Sequence, residues 1–287
     1  MAPFSIHPAT GVGPVALTVA DLDRSERFYC DIIGFKVLGR AGDTITFGAD
    51  GATPLLAVTG QPGARRQPRT TGLYHFAILT PSRVALARSL RQLAEARWPI
   101  SGASDHLVSE ALYLDDPDGN GIEIYRDRPR EEWPRQDGQI QMATDPLDID
   151  SLIDELAHDA SPWEGIAPDT IIGHVHLHVA DLRAAQDFYH GVLGFDIIQR
   201  YGPSALFVSA GGYHHHIGLN TWAGMGAPPP PPGSVGLRWF DIRLPDATAR
   251  DALLERIGAA GIATEEVAQG ILLRDPSANG VVLTVAV

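Results

Sequence analysis

The sequence predicts an α+β fold built from four strand–helix–three-strand (βαβββ) modules that pair into two barrels or half-barrels. Three observations lead there. Two segments repeat almost line for line, VGPVALTVADLDRSERFYCDIIGF from Val12 to Phe35 and IGHVHLHVADLRAAQDFYHGVLGF from Ile172 to Phe195. A weaker pair follows each of them, GLYHFAILTPS from Gly72 to Ser82 and GLRWFDIRLPD from Gly236 to Asp246. The endings also match: DDPDGNGIEIY (Asp115–Tyr125) corresponds to RDPSANGVVLT (Arg274–Thr284), each a Pro/Gly/Asn turn feeding a terminal strand.

Within the strong repeat, alternating apolar residues read as a strand, and the ADL turn supplies an Asp at a helix start. A short helix then ends in Phe-Tyr, and a glycine stops it. The modules fall near residues 10–68, 69–130, 169–233 and 234–287, separated in the middle by a connector at 131–168. A single such unit leaves one sheet face bare, so two must pair to bury it. The connecting stretch from Pro129 to Asp169 carries acidic residues, prolines and one short helical run, SLIDELAHDA. The run Pro228–Pro232 cannot be a central strand or a helix, and reads as a stiff loop between the third and fourth modules.

With 287 residues and 44% apolar composition the chain has enough material for two real cores. Its formal net charge of -13, with no Lys/Arg-rich run, argues against nucleic acid or a membrane surface as partner. The start, MAPFSIHPATG, has no signal-like pattern, and no segment approaches a membrane span, so a cytoplasmic protein is expected. Cys30 is the single cysteine, expected to pack as a small core residue beside Tyr29, and any metal must be held by His, Asp or Glu.

Alternation along GHVHLHVADL puts Val175, Leu177 and Val179 on a helix-covered face and His174, His176 and His178 on the other, looking into the barrel. Three histidines on one inner face, with a second cluster at His214, His215 and His216, point to a metal or acid-base site. The same parity places Pro14, His75 and Trp239 where the third module has His174. Glu123 points inward with His75, because its neighbours Ile122 and Ile124 belong to the helix-covered face. An unpaired carboxylate there would be costly.

The strand pattern H-x-x-L-x-V-x-D-L at His174, its variant from His75 and DPDGNGIEIY around Glu123 resemble the vicinal oxygen chelate superfamily of glyoxalases, bleomycin-resistance proteins and extradiol dioxygenases. Over nearly the whole chain the sequence is similar to the two-half bacterial catechol 2,3-dioxygenases. That resemblance implies a metal held by His75, Glu123 and His174, namely Fe(II), with Mn, Ni or Zn as other occupants, and a catechol-type substrate cleaved with O2. It implies His216 and Tyr113 as catalytic residues, Tyr113 standing ten residues before Glu123 with Pro117 between them. Candidates for substrate binding are His176, His178, His214 and, at the pocket rim, His106. Strand parity puts His214 and His216 inward and His215 outward.

The sequence departs from the familiar extradiol arrangement in where these residues lie. That arrangement takes its ligands from the third and fourth modules, but here Trp239 and Val282 leave the fourth bare and Pro14 leaves the first bare. A complete site therefore requires the second module to pair with the third, with the first and fourth forming a metal-free barrel. A homodimer is compatible with such barrels. Two alternatives stand beside ring cleavage: with His216 as a fourth ligand, a glyoxalase-type isomerase; without metal, a binding protein that sequesters an aromatic small molecule.

Overall fold

A computed structural model describes residues 4–159 and 161–286. Ala160 of the predicted helical run, Val287 of the fourth module and the first three residues of the amino-terminal segment lie outside that range. Each module has the expected order. The first comprises β1 (Gly11–Val19), α1 (Leu22–Arg27), β2 (Lys36–Ala41), β3 (Thr44–Gly48) and β4 (Leu56–Gly60); the second β5 (Gly72–Leu79), α2 (Arg83–Glu95), β6 (Gly102–Asp105), β7 (Ser109–Asp115) and β8 (Gly121–Asp127). The connector holds the short strands β9 (Arg135–Gln136), β10 (Gln139–Ile140) and β11 (Asp145–Pro146) and the helix α3 (Ile149–Asp154). The third module has β12 (Ile171–His178), α4 (Leu182–Gln186), β13 (Asp196–Tyr201), β14 (Ala205–Ser209) and β15 (Ile217–Asn220). The fourth has β16 (Gly236–Leu244), α5 (Ala247–Ala259), β17 (Thr264–Val267), β18 (Gly270–Arg274) and β19 (Gly280–Val285).

The helices begin where a side chain can accept the otherwise unpaired amides of a first turn. Asp21 accepts from Arg24 N at 2.9 Å, Ser82 from Ala85 N at 3.1 Å, Asp181 from Ala184 N at 2.7 Å and Asp246 from Ala249 N at 2.8 Å. In the first and third modules the helix widens into a π turn, Phe28–Ile32 and Asp187–Val192. Gly34 then ends the first one at φ +86°, and a Cβ there would stand 2.5 Å from the backbone nitrogen of Ile166 in the connector.

Two large sheets result. One has eight strands in the order β17-β18-β19-β16-β1-β4-β3-β2, the other nine in the order β11-β6-β7-β8-β5-β12-β15-β14-β13. β1 runs antiparallel to β16, and β5 antiparallel to β12. The first sheet thus joins modules one and four, and the second joins two and three. The apolar faces of both sheets share one core, in which Val15, Leu17, Phe76, Ile78, Val175, Leu177 and Phe240 are fully buried. Among the described residues no helix is long and apolar enough to cross a membrane.

The connector is more than a strap. β11 adds to the edge of the nine-stranded sheet beside β6, Leu152 and Ile166 enter the main core, and Trp133 and Ile140 form a small cluster with Val108 and Tyr213. Its helix starts at Ile149 and ends at Asp154, shorter at the carboxyl end than the SLIDELAHDA run implied. Cys30 is half-buried rather than a core residue.

Candidate metal centre

β5, β8 and β12 are neighbours in the nine-stranded sheet, and each places one side chain at a common point on the face opposite the core. His75, Glu123 and His174 are 6%, 3% and 1% exposed, and each offers a ligand atom within 4.8 Å of the others. Glu123 Oε2 lies 3.2 Å from His174 Nε2, and 3.0 Å from His75 Nε2 but out of line for a hydrogen bond to it. Burial pushes the Glu123 carboxyl up, yet its contacts with His174 and His75 hold it well below the usual range. Burial lowers His174, favouring the neutral ring. An ionised carboxylate beside neutral imidazole is the protonation state a divalent cation requires. His75 Nε2, His174 Nδ1 and His176 Nε2 are all buried without a hydrogen-bond partner, which a hydrogen-bonded polar core would not tolerate. The donor set of two nitrogens and one carboxylate fits a divalent transition metal.

A cavity of about 450 Å³ opens beside this cluster. His176 lines it, its ring 5.1 Å from that of His75 and resting against Gly218, where a Cβ would stand 2.8 Å from the imidazole. Tyr113 also lines it; its hydroxyl donates to His106 Nε2 at 2.6 Å, and His106 Nδ1 donates to the Ala143 carbonyl at 2.6 Å. His106 therefore sits on the cavity wall and is tied to Tyr113. Burial, reinforced by the charge of Glu123, pushes the Tyr113 phenol well up, so it stays protonated.

The His-His-His run departs from strand parity. His215 faces the cavity with its ring 4.1 Å from that of His174. His216 turns away: its Nδ1 accepts from Ala210 N at 3.2 Å and contacts the Ser209 hydroxyl at 2.9 Å, and burial pushes it down to about 3. That placement also removes His216 as a fourth ligand. His214 is fully buried behind the cavity, its Nε2 2.8 Å from Asp127 Oδ1 and its Nδ1 2.8 Å from His215 Nδ1. The cause is local. Gly211 and Gly212 both take positive φ, at +60° and +66°, and the regular strand begins only at Ile217, so alternation cannot be extended back through the run.

His178 does not reach the cavity either. It follows His174 by four residues, roughly 13 Å along a strand, and bonds through Nδ1 to Asn220 Oδ1 at 2.7 Å on the wall of a different cleft.

Several cavity residues escape sequence reasoning. Tyr74 should point away from His75, but β5 carries an extra residue against β12 between His75 and Leu73, and that bulge brings the Tyr74 ring within 5.1 Å of His75, His176 and Trp222. Phe207, Trp222 and Gln199 come from the third module, and Met142 to Thr144 from the connector. None has a periodic signature that could have flagged it. Among the described residues the walls include no lysine or arginine.

The family model for the Glyoxalase/Bleomycin resistance protein/Dioxygenase superfamily matches residues 11–124 and 171–279. A protein from Bacillus subtilis (strain 168) named catechol-2,3-dioxygenase is 48% identical over 276 residues, covering 95% of this chain and 96% of its own length. Among solved structures, a putative dioxygenase from Bacillus subtilis superposes with a TM-score of 0.66 at 15% identity, over 98% of this chain and 86% of the other. Glyoxalase I from Zea mays gives 0.55 at 17%, over 96% and 92%. These structures agree with the sheet architecture described above, and their identities are too low to speak to more than the fold. The sequence match, spanning both halves and nearly the full length of the relative, carries the conclusion: this chain belongs to the Glyoxalase/Bleomycin resistance protein/Dioxygenase superfamily.

Proposed function

We propose that this chain is an iron-dependent extradiol dioxygenase that opens the ring of a catechol-type substrate with O2. The observation that carries the reading is the convergence of His75, Glu123 and His174 at one point beside an aromatic-lined cavity, with His75 and Glu123 on its wall. The close relative named catechol-2,3-dioxygenase supports it. Two nitrogens and a carboxylate would hold Fe(II), which supplies open positions where adjacent substrate oxygens and O2 meet.

The residues of the chain do the rest. His215, neutral because burial pulls it well down, is placed to accept a hydroxyl proton from the bound catechol and to return one later. Tyr113, kept protonated, donates a hydrogen bond into the cavity or to His106, and His176 offers a free Nε2 to the substrate edge. Tyr74, Phe207 and Trp222 offer the substrate ring flat aromatic surface along the cavity wall. With no cation on its walls and Asp115 among them, the cavity selects a catechol without a carboxylate substituent.

The test is direct. Anaerobically purified protein should contain about one iron per chain and turn catechol plus O2 into a yellow ring-opened product, with 4-methylcatechol preferred over 3,4-dihydroxybenzoate. Metal-replete protein that consumes no O2 with any catechol would sink the reading.

A further inference from the structure

The second large cleft of the molecule carries the opposite character to the first. With a volume of about 960 Å³, it is walled by the Arg66–Leu73 segment, the polyproline loop and the outer face of β16 and β18. Among the described residues four arginines line it, Arg66, Arg69, Arg238 and Arg274, and no aspartate or glutamate does. In a chain with 35 acidic and 22 basic residues this separation is against the average. Among the described residues none of the four has a carboxylate within ion-pair distance, so their charges face one another across the cleft uncompensated. Arg66 and Arg69 make no side-chain hydrogen bond to the described residues at all. Arg238 donates to the Thr59 hydroxyl, and Arg274 to the Ala278 carbonyl at 3.1 Å, which leaves most of their donors free.

The walls are built rather than loose. Thr71 N donates to the Pro228 carbonyl at 3.0 Å and Val235 N to the Arg65 carbonyl at 3.2 Å, so the arginine segment and the polyproline loop are laced together at both ends. Proline removes backbone freedom from the facing wall. Trp239 and the exposed Trp222 add flat aromatic surface. Guanidinium forks match carboxylate and phosphate oxygens in pairs, and the volume is that of a site for an organic molecule rather than a single inorganic ion.

We propose that this cleft is a second ligand site, taking an organic anion that combines a planar ring with phosphate or carboxylate groups. The oxyanions pair with the four arginines and the ring lies against the tryptophans. The site is separate from the metal cavity: among the described residues the one side chain lining both is Trp222, whose backbone nitrogen donates to the same Asn220 Oδ1 that contacts His178. An occupant would thus press on one wall of the substrate cavity.

The experiment titrates the intact protein calorimetrically, at fixed ionic strength, with adenosine 5′-monophosphate, adenosine and inorganic phosphate as probes. The expected result is saturable binding of the nucleotide, at least tenfold tighter than either fragment, weakened at least tenfold in Arg66→Gln/Arg69→Gln and again in Arg238→Gln. These variants should keep their unliganded turnover of catechol and their melting temperature. Adenosine binding as tightly as the nucleotide, phosphate binding as tightly as the nucleotide, or nucleotide affinity unchanged in the variants would each overturn the proposal. So would absence of binding by all three probes.

Discussion

At the scale of single residues, the metal cluster and the histidine beside it should separate in their effects. Replacing His75, Glu123 or His174 by alanine is expected to strip iron and activity together, because a facial site missing one donor loses both charge and geometry; iron content per chain by elemental analysis checks this. His215→Gln should keep its iron while turnover falls roughly 10²- to 10⁴-fold, the usual contribution of a positioned acid-base group. His216→Gln, whose ring only braces Ser209 and Ala210, should keep iron and most of the rate. If the losses fall on His216 and spare His215, the assignment of the proton-transfer residue is wrong.

Asp241 offers a pH-dependent prediction away from the site. Burial raises its carboxyl from the ordinary 3.8 to about 6, against opposing contributions from the Thr284 hydroxyl and Arg243. A folded-state value above the unfolded one means that its contribution to stability is complete below about 3.8 and is lost as pH rises through about 6. Asp241→Asn, which keeps an acceptor for Thr284 without the charge, should therefore change melting little at pH 4 and raise it at pH 7.5, by on the order of 1–3 kcal/mol. Melting curves at the two pH values decide it, and an equal shift at both would refute the linkage.

At the scale of elements, two strand irregularities shape the cavity. The bulge on β5 turns Tyr74 toward the histidines, and the one on β12 falls at Gly173, beside the Tyr125 hydroxyl. A Cβ on Gly173 would stand 1.8 Å from that oxygen, which bonds the Tyr213 hydroxyl at 2.7 Å. Gly173→Ala should cost roughly 1–3 kcal/mol of stability through overpacking and, because His174 follows directly, loosen iron. Adding Tyr125→Phe removes the clashing oxygen and should recover part of the loss in a denaturant titration. No recovery would mean that the clash is not what makes glycine necessary.

At the scale of the whole molecule, two sets of links run crosswise. Tyr29 of the first module donates to Asp116 of the second at 2.9 Å, and Tyr189 of the third to Asp275 of the fourth at 3.1 Å, so each half of the chain is tied within itself. The sheets instead join first to fourth and second to third. The candidate ligand cluster therefore takes His75 and Glu123 from one half and His174 from the other. A chain cut at the exposed Asp137–Gly138 turn should bind no iron as either isolated piece, and should regain iron and activity when both pieces are co-expressed. An isolated half that holds stoichiometric iron would contradict a centre shared between halves.

What the sequence by itself determined is what repeats. Four matching segments, the Asp caps and stopping glycines of the first and third, and the two-residue alternation that put His75, Glu123 and His174 on inner faces all follow from local geometry and a pattern copied along the chain. The α+β class and the superfamily follow from the same residues. What only the tertiary structure decided lies where the pattern is interrupted or where distant segments meet. The two positive-φ glycines shift the phase of the histidine run and exchange His216 for His215 at the cavity. A single inserted residue turns Tyr74 inward, and the connector, with no periodic pattern, supplies Met142 to Thr144 as a wall. Alternation predicts a side chain's direction only while the ladder is unbroken, and it does not report which strand end a cavity reaches. That is why His178, on the predicted face, stands at another cleft.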